Sequence, residues 1–147
     1  MKIKYIFFFF CFCFSKSFSQ APNRIIHLRD SLATQLANAK TDSSKAVNHF
    51  KLVQVYMMLD TVQAGQHLKA GEKLIKRNTF LEGLYQAQLG FRYYYNQDLE
   101  KSKMAYGKAD SALQKYHVKE SYTILSDVWN NLAVIEQLEG RDDNYTN

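Results

Sequence analysis

From the neighbourhood of Pro22 onward, apolar residues recur at helical spacing. Ile25, Leu28, Leu32, Leu36 and Ala39 step by three or four, which lines one face of an α-helix, while Arg24, Arg29, Asp30 and Gln35 fall on the other side. Thr41-Asp42-Ser43 then offers side-chain oxygens to cap a second helix, expected over 44–58 with Val47, Phe50, Val53 and Met57 on one face. Asp60 is placed to cap a third helix, expected to run to Arg77, with Lys73, Lys76 and Arg77 suited to its negative C-terminal end. Asn78-Thr79 separates this from a fourth helix to Tyr95, and Asn96-Gln97-Asp98 opens a fifth to Tyr116. A sixth is expected from Lys119 to Glu139, where Gly140 can take the left-handed conformation that stops a helix. No stretch alternates with period two for long enough to predict a strand, so the fold class is all-α. The short connections predict that neighbouring helices pack antiparallel.

Composition changes the picture mainly through the first nineteen residues. The chain has 147 residues, 46% of them hydrophobic, with ten Phe, two Cys and a formal charge of +5. Seven of those Phe and both Cys, Cys11 and Cys13, lie within residues 1–19. Removing Lys2, Lys4 and Lys16 with this segment lowers the formal charge to +2, so the basicity is poor evidence for a nucleic-acid partner. Tyr5 to Phe14 is an unbroken apolar run of ten residues, about 15 Å as a helix, half of a bilayer core of roughly 30 Å. Preceded by Lys2 and Lys4 and followed by Ser17-Phe18-Ser19, it reads as a signal peptide cleaved before Gln20, with an uncleaved anchor as the alternative. Neither cysteine ends the apolar run as a lipidation site requires. The expected location is therefore exported, periplasmic or envelope-associated, and the remaining chain has no cysteine with which to use an oxidising compartment.

The helical segments also repeat. Asp60 is followed by Ala64, Leu68 and Gly71, and Asp98 by Ser102, Tyr106 and Ala109 at the same spacings, an offset of 38 residues. Helix pairs recurring at such a period point to a solenoid, in which each unit buries its apolar face on the next. Small residues recur because two helices approach closely only where side chains are short.

At this point the sequence resembles the tetratricopeptide repeat. Leu89-Gly90, Tyr93, Ser102, Tyr106 and Ala109 fall on that family's leucine-glycine, tyrosine, small, aromatic and alanine positions. Trp129, Leu132, Ala133 and Gly140 match the opening of a third unit, and Leu52, Val53, Tyr56, Ala64 and Leu68 a degenerate first one. The resemblance implies tandem antiparallel helix hairpins in a short right-handed superhelix. It divides the chain into a leader (1–19), a lone helix with linker (20–43) and repeats over 44–140. The units fall near 44–78, 79–118 and 119–140, the last incomplete, with a frayed or truncated end at 141–147. The leader, Arg29-Asp30-Ser31-Leu32 and the Thr41-Asp42-Ser43-Ser44-Lys45 start are similar to the exported N-terminal regions of Gram-negative sensor and regulator proteins. Those proteins continue into a histidine kinase or a helix-turn-helix domain. With Arg141-Asp142-Asp143 at the expected start of another helix, the chain reads as a fragment or truncated frame. The alternative is a short protein completed by self-association through its uncapped third repeat.

Chemistry-bearing constellations are sparse. His27, His49, His67 and His117 share no i, i+3 or i+4 spacing and no neighbouring Cys, so metal binding is not expected and each reads as a surface or boundary residue. The adjacent acids Asp142-Asp143 fall at the chain end, and no nucleophile elbow or phosphate-cradling glycine loop occurs. No catalytic residue, cofactor or enzymatic activity is predicted. Phe91-Arg92-Tyr93-Tyr94-Tyr95 has the residue types that stack on nucleic-acid bases, yet on a helix they point around its whole circumference. No nucleic acid is therefore expected on this segment, and a membrane only through the leader or a missing downstream part.

What the family resemblance implies instead is a groove for a protein or peptide partner, along the concave wall made by the first helix of each unit. Its positions carry Phe50, Gln54 and Met57, then Leu84, Ala87, Phe91, Tyr94 and Tyr95, then Asn130, Val134 and Gln137. Such a wall is aromatic and amide-rich, fit to hold an extended or helical apolar segment. The positions that form a carboxylate clamp in some members hold Phe50, Gln54, Gln88, Asp127 and Asn131, which lack the needed cations. The competing expectation is that several of these aromatics simply pack against the lone first helix or an absent repeat.

Overall fold

The computed structural model describes residues 20–145, with side-chain surroundings for 23–140; the predicted leader lies outside the described residues. Among the described residues six helices follow one another: α1 (Gln20–Asn38), α2 (Asp42–Leu59), α3 (Thr61–Glu72), α4 (Thr79–Tyr95), α5 (Leu99–Leu113) and α6 (Lys119–Tyr145). Among the described residues there is no strand, so the chain is all-α as the periodicity requires. Among the described residues no helix is long and apolar enough to cross a membrane.

The starts are set by side-chain caps. Thr41 accepts from Ser44 N while Ser44 Oγ accepts from Thr41 N, a reciprocal capping box at the head of α2. Asp60 accepts from the amides of Val62 and Gln63 ahead of α3, Asn78 from Leu81 N ahead of α4, and Asp98 from Lys101 N ahead of α5. The Gln63 amide is the main cause that holds the Asp60 carboxyl below the usual range; for Asp98 it is the Lys101 ammonium, which donates to Oδ2 at 2.6 Å.

The stops differ from expectation. α3 ends at Glu72, five residues short of Arg77, because Ile75 turns inward to a 6% exposed core position and Lys76 adopts a left-handed φ of 52°. Lys76 then reaches back to Asp42 at the head of α2 (2.6 Å), which lowers the Asp42 pKa. α5 ends at Leu113, and Tyr116 leaves the helix to set its ring edge-on against Phe80. Gly140 does not stop α6, which continues through it to Tyr145, so 141–145 extends this helix and begins no new one. The left-handed stop lies instead at Gln97 (φ 61°), where Asp98 N donates to Tyr93 O and Gln97 N to Tyr94 O in a Schellman pattern.

Two antiparallel pairs dominate the packing, α2 with α3 and α4 with α5. α4 also touches α2 and α3, α6 packs on α5 and on α4, and α1 packs on α2 alone. The core follows this order. Leu32 of α1 meets Leu52 and Val55 of α2, although Leu28, expected on the same face, stands half exposed. Phe50, Val53, Met57, Ala64, Leu68, Leu81 and Leu84 join α2, α3 and α4, and Ala87, Tyr106, Ala109, Val128 and Ile135 join α4, α5 and α6. Phe91 packs against both of these larger clusters.

The closest approaches fall where the sequence has small residues. Ala64, Ser102 and Ala109 are fully buried. A Cβ on Gly90 would lie 2.6 Å from the Tyr106 ring, and one on Gly71 2.5 Å from Phe50. Ser102 Oγ donates to Gly90 O at 2.8 Å across the same α4–α5 seam. A larger residue at any of these points would separate the helices it joins.

Candidate functional site

Because α2, α4 and α6 alternate with α3 and α5, one residue row from each can face the same space. The rows are Val47, Lys51 and Gln54 on α2, Leu84 and Gln88 on α4, and Glu120, Thr123 and Ile124 on α6, each stepping by three, four or one. Together with Phe50, Phe80 and Lys119 they line a cavity of about 280 Å³. Its walls are carbon, from Val47, Phe50, Phe80, Leu84 and Ile124, while Lys51, Gln54, Lys119, Glu120 and Thr123 supply the polar groups. Phe50 is held by a tilted contact with Tyr85 (6.2 Å between centroids) and Phe80 by Tyr116 (5.2 Å), so both aromatic walls are backed by other rings. The Tyr85 hydroxyl, half-buried and donating to Glu72, has its pKa pushed up to about 12, chiefly by burial.

Of the eleven residues predicted along a concave wall, three line this cavity: Phe50, Gln54 and Leu84. Met57 and Ala87 are core residues, as Phe50 and Leu84 are in part, and Met57 also borders a shallower depression with Arg92 and Asn96. Phe91 and Tyr94 are half-buried against the clusters shared by α4, α5 and α6. Tyr95, Asn130, Val134 and Gln137 are exposed and take no part in the cavity. Asn131 is turned away from an open groove, since its Nδ2 donates to the buried Tyr106 hydroxyl at 3.0 Å. Burial holds that phenol neutral, its pKa raised well above the ordinary value.

The sequence does not mark Val47, Lys51, Phe80, Lys119, Glu120, Thr123 and Ile124 as groove residues. The i, i+4, i+7 spacing of Val47, Lys51 and Gln54 carries the signal, but it becomes a wall only once α4 and α6 stand beside α2. The sequence marks Gln88 only as a clamp position without a cation. It is 3% exposed, and its Oε1 accepts no hydrogen bond among the described residues.

A second constellation is also tertiary. His49 of α2 and His67 of α3 are far apart in sequence, yet their Nδ1 atoms lie 2.9 Å apart, and Tyr56 stacks on His67 (5.0 Å). Both rings are half-buried, as boundary residues are, and their contact is one that the sequence spacing does not reveal. Two neutral imidazoles satisfy this contact when one carries its proton on Nδ1 and the other on Nε2. Burial lowers both pKa values, and the neighbouring His67 lowers that of His49 further. Among the described residues no group of three His, Cys, Asp or Glu is placed to hold a metal ion.

Along the Phe91–Tyr95 run the side chains diverge. Phe91 and Tyr94 turn inward and Tyr95 outward, while Tyr93 lies under the Lys101 ammonium (5.7 Å to the ring centroid). Compared with protein-family models, curated proteins and solved structures, the chain finds no match in any of the three.

Proposed function

We propose that this chain is an exported, non-catalytic interaction module. Its helix hairpins would stack in the manner of tetratricopeptide repeats, and it would bind a peptide or protein segment along the face shared by α2, α4 and α6. The observation that carries this reading is the cavity of about 280 Å³ between those three helices, apolar in its walls and polar at several flanking positions. Helices α2 and α4 also touch each other as well as their own hairpin partners, which is the adjacency a stacked array needs. The small-residue contacts at Ala64, Gly90, Ser102 and Ala109 support the same pairing. Export rests on the leader's sequence pattern alone.

The test is selection of binding segments from a random peptide display library on the purified chain. Segments so selected are expected to lose at least tenfold in affinity to Gln54→Arg, which places a long cation against the cavity. They are expected to be unaffected by Lys108→Glu on the exposed side of α5. Selected segments indifferent to Gln54→Arg, with helicity intact by circular dichroism, would rule out this face as the binding surface.

A further inference from the structure

The cavity's chemistry is narrower than an apolar groove. Five of its walls are hydrocarbon, yet it also contains Gln88, 3% exposed, whose Oε1 is buried without a hydrogen-bond donor among the described residues. A buried acceptor left unmade costs free energy, and native proteins pair the great majority of such groups. Oε1 is covered from the cavity as it stands, so meeting an occupant's donor requires a turn about the terminal torsion of Gln88, which is soft. The space of about 280 Å³ lies just below the roughly 300–1,000 Å³ of sites for drug-sized ligands, so it suits one large side chain. Phe50 and Phe80 offer ring surfaces, against which an aromatic occupant packs edge-to-face or offset. Two side chains combine a six-membered aromatic ring with a single hydrogen-bond donor: tyrosine and tryptophan.

From this combination we infer that the cavity is the anchor pocket of the proposed peptide site, and that it takes the phenol or indole ring of a tyrosine or tryptophan in the bound segment. The ring's O–H or N–H donates to Gln88 Oε1. A phenylalanine fills the same volume but leaves Gln88 unmet. A charged side chain loses hydration against the carbon walls, and the charged groups of the lining, Lys51, Lys119 and Glu120, belong to exposed residues. The inference rests on the peptide reading for the source of the ring, and on the cavity alone for its chemistry.

The test titrates the full, isotopically labelled chain with the N-acetyl amides of tyrosine, tryptophan and phenylalanine. Nuclear magnetic resonance follows the Gln88 side-chain amide and the backbone of Leu84 and Ile124. The tyrosine and tryptophan amides are expected to bind about tenfold more tightly than the phenylalanine amide, the ratio for one buried hydrogen bond made or missed. Gln88→Met removes the acceptor at nearly constant volume and should erase that preference while keeping phenylalanine binding. Because it also removes an unmet buried polar atom, the variant should melt no lower than the wild type. Equal binding of the three amides to the wild type, or shifts that map away from Leu84, Gln88 and Ile124, overturns the inference. Display-selected segments that depend on Gln54 but carry neither tyrosine nor tryptophan overturn it too and leave the proposed function standing. Amides that bind in the expected order while no segment binds overturn the peptide reading, and with it the segment as source, but not the ring-and-donor chemistry.

Discussion

Gly90→Ala tests the α4–α5 seam because two effects of opposite sign meet there. In an exposed helix interior, replacing Gly by Ala gains about 1 kcal/mol of backbone entropy and helix propensity. At Gly90 the new methyl would lie 2.6, 2.8 and 2.9 Å from Cδ1, Cε1 and Cγ of Tyr106. Carbon atoms at optimal contact are about 3.5–4.0 Å apart, so the overlap is close to 1 Å on three atoms at once. Tyr106 cannot easily yield. Its ring is 1% exposed, its hydroxyl accepts from Asn131 Nδ2, and Ser102 ties the Gly90 carbonyl to α5. Overpacking of this kind costs about 1–3 kcal/mol, and a pinned ring puts the cost in the upper part of that range. The net expectation is a loss of about 1–2 kcal/mol. Gly107 is the internal control: it lies in α5 with no atom within 4 Å of a built Cβ, so Gly107→Ala should gain about 0.5–1 kcal/mol. Urea denaturation followed by far-ultraviolet circular dichroism measures both. In a Tyr106→Leu background, Gly90→Ala should cost at least 1 kcal/mol less, giving a positive coupling in the double-mutant cycle. If Gly90→Ala proved as stable as Gly107→Ala, the helices would not meet at that glycine and the hairpin would be packed some other way.

Further outcomes follow from the same coordinates. Gln97→Gly should stabilise the chain by about 1 kcal/mol, because Gln97 occupies a left-handed position that favours glycine; a loss in thermal midpoint would argue against the Schellman stop. Thr41→Ala removes the capping box of α2 and should cost about 1 kcal/mol in urea unfolding, whereas Thr41→Asp should cost little. The lowered pKa values of His49 and His67 mean that the unfolded chain takes up these protons first as pH falls. The stability they contribute is complete above their ordinary value of 6.5 and declines as pH drops below it. Thermal midpoints measured from about pH 8 to about pH 5 should therefore fall less steeply for His67→Phe than for the wild type. Parallel curves for the two proteins would show that the pair titrates alike in both states.

Helix existence was legible in the sequence because it is a local matter. Spacings such as Val47, Phe50, Val53, Met57 and the oxygens of Thr41, Asp60, Asn78 and Asp98 act within a turn or two of where they stand. The small residues at Ala64, Gly90, Ser102 and Ala109 were legible for the same reason, since a missing side chain is visible before its neighbour is known. Where helices end was less so. Gly140 permits a left-handed residue but does not demand one, whereas Lys76 and Gln97 are driven into that region by the burial of Ile75 and the closing of the α4–α5 turn. The site depended most on tertiary structure. Gln88 reads in sequence only as a clamp position without a cation, and His49 and His67 as residues with no shared spacing. An unmet acceptor, a ring wall and an imidazole pair are properties of atoms on different helices, and they exist only once α2, α3, α4 and α6 have taken their places beside one another.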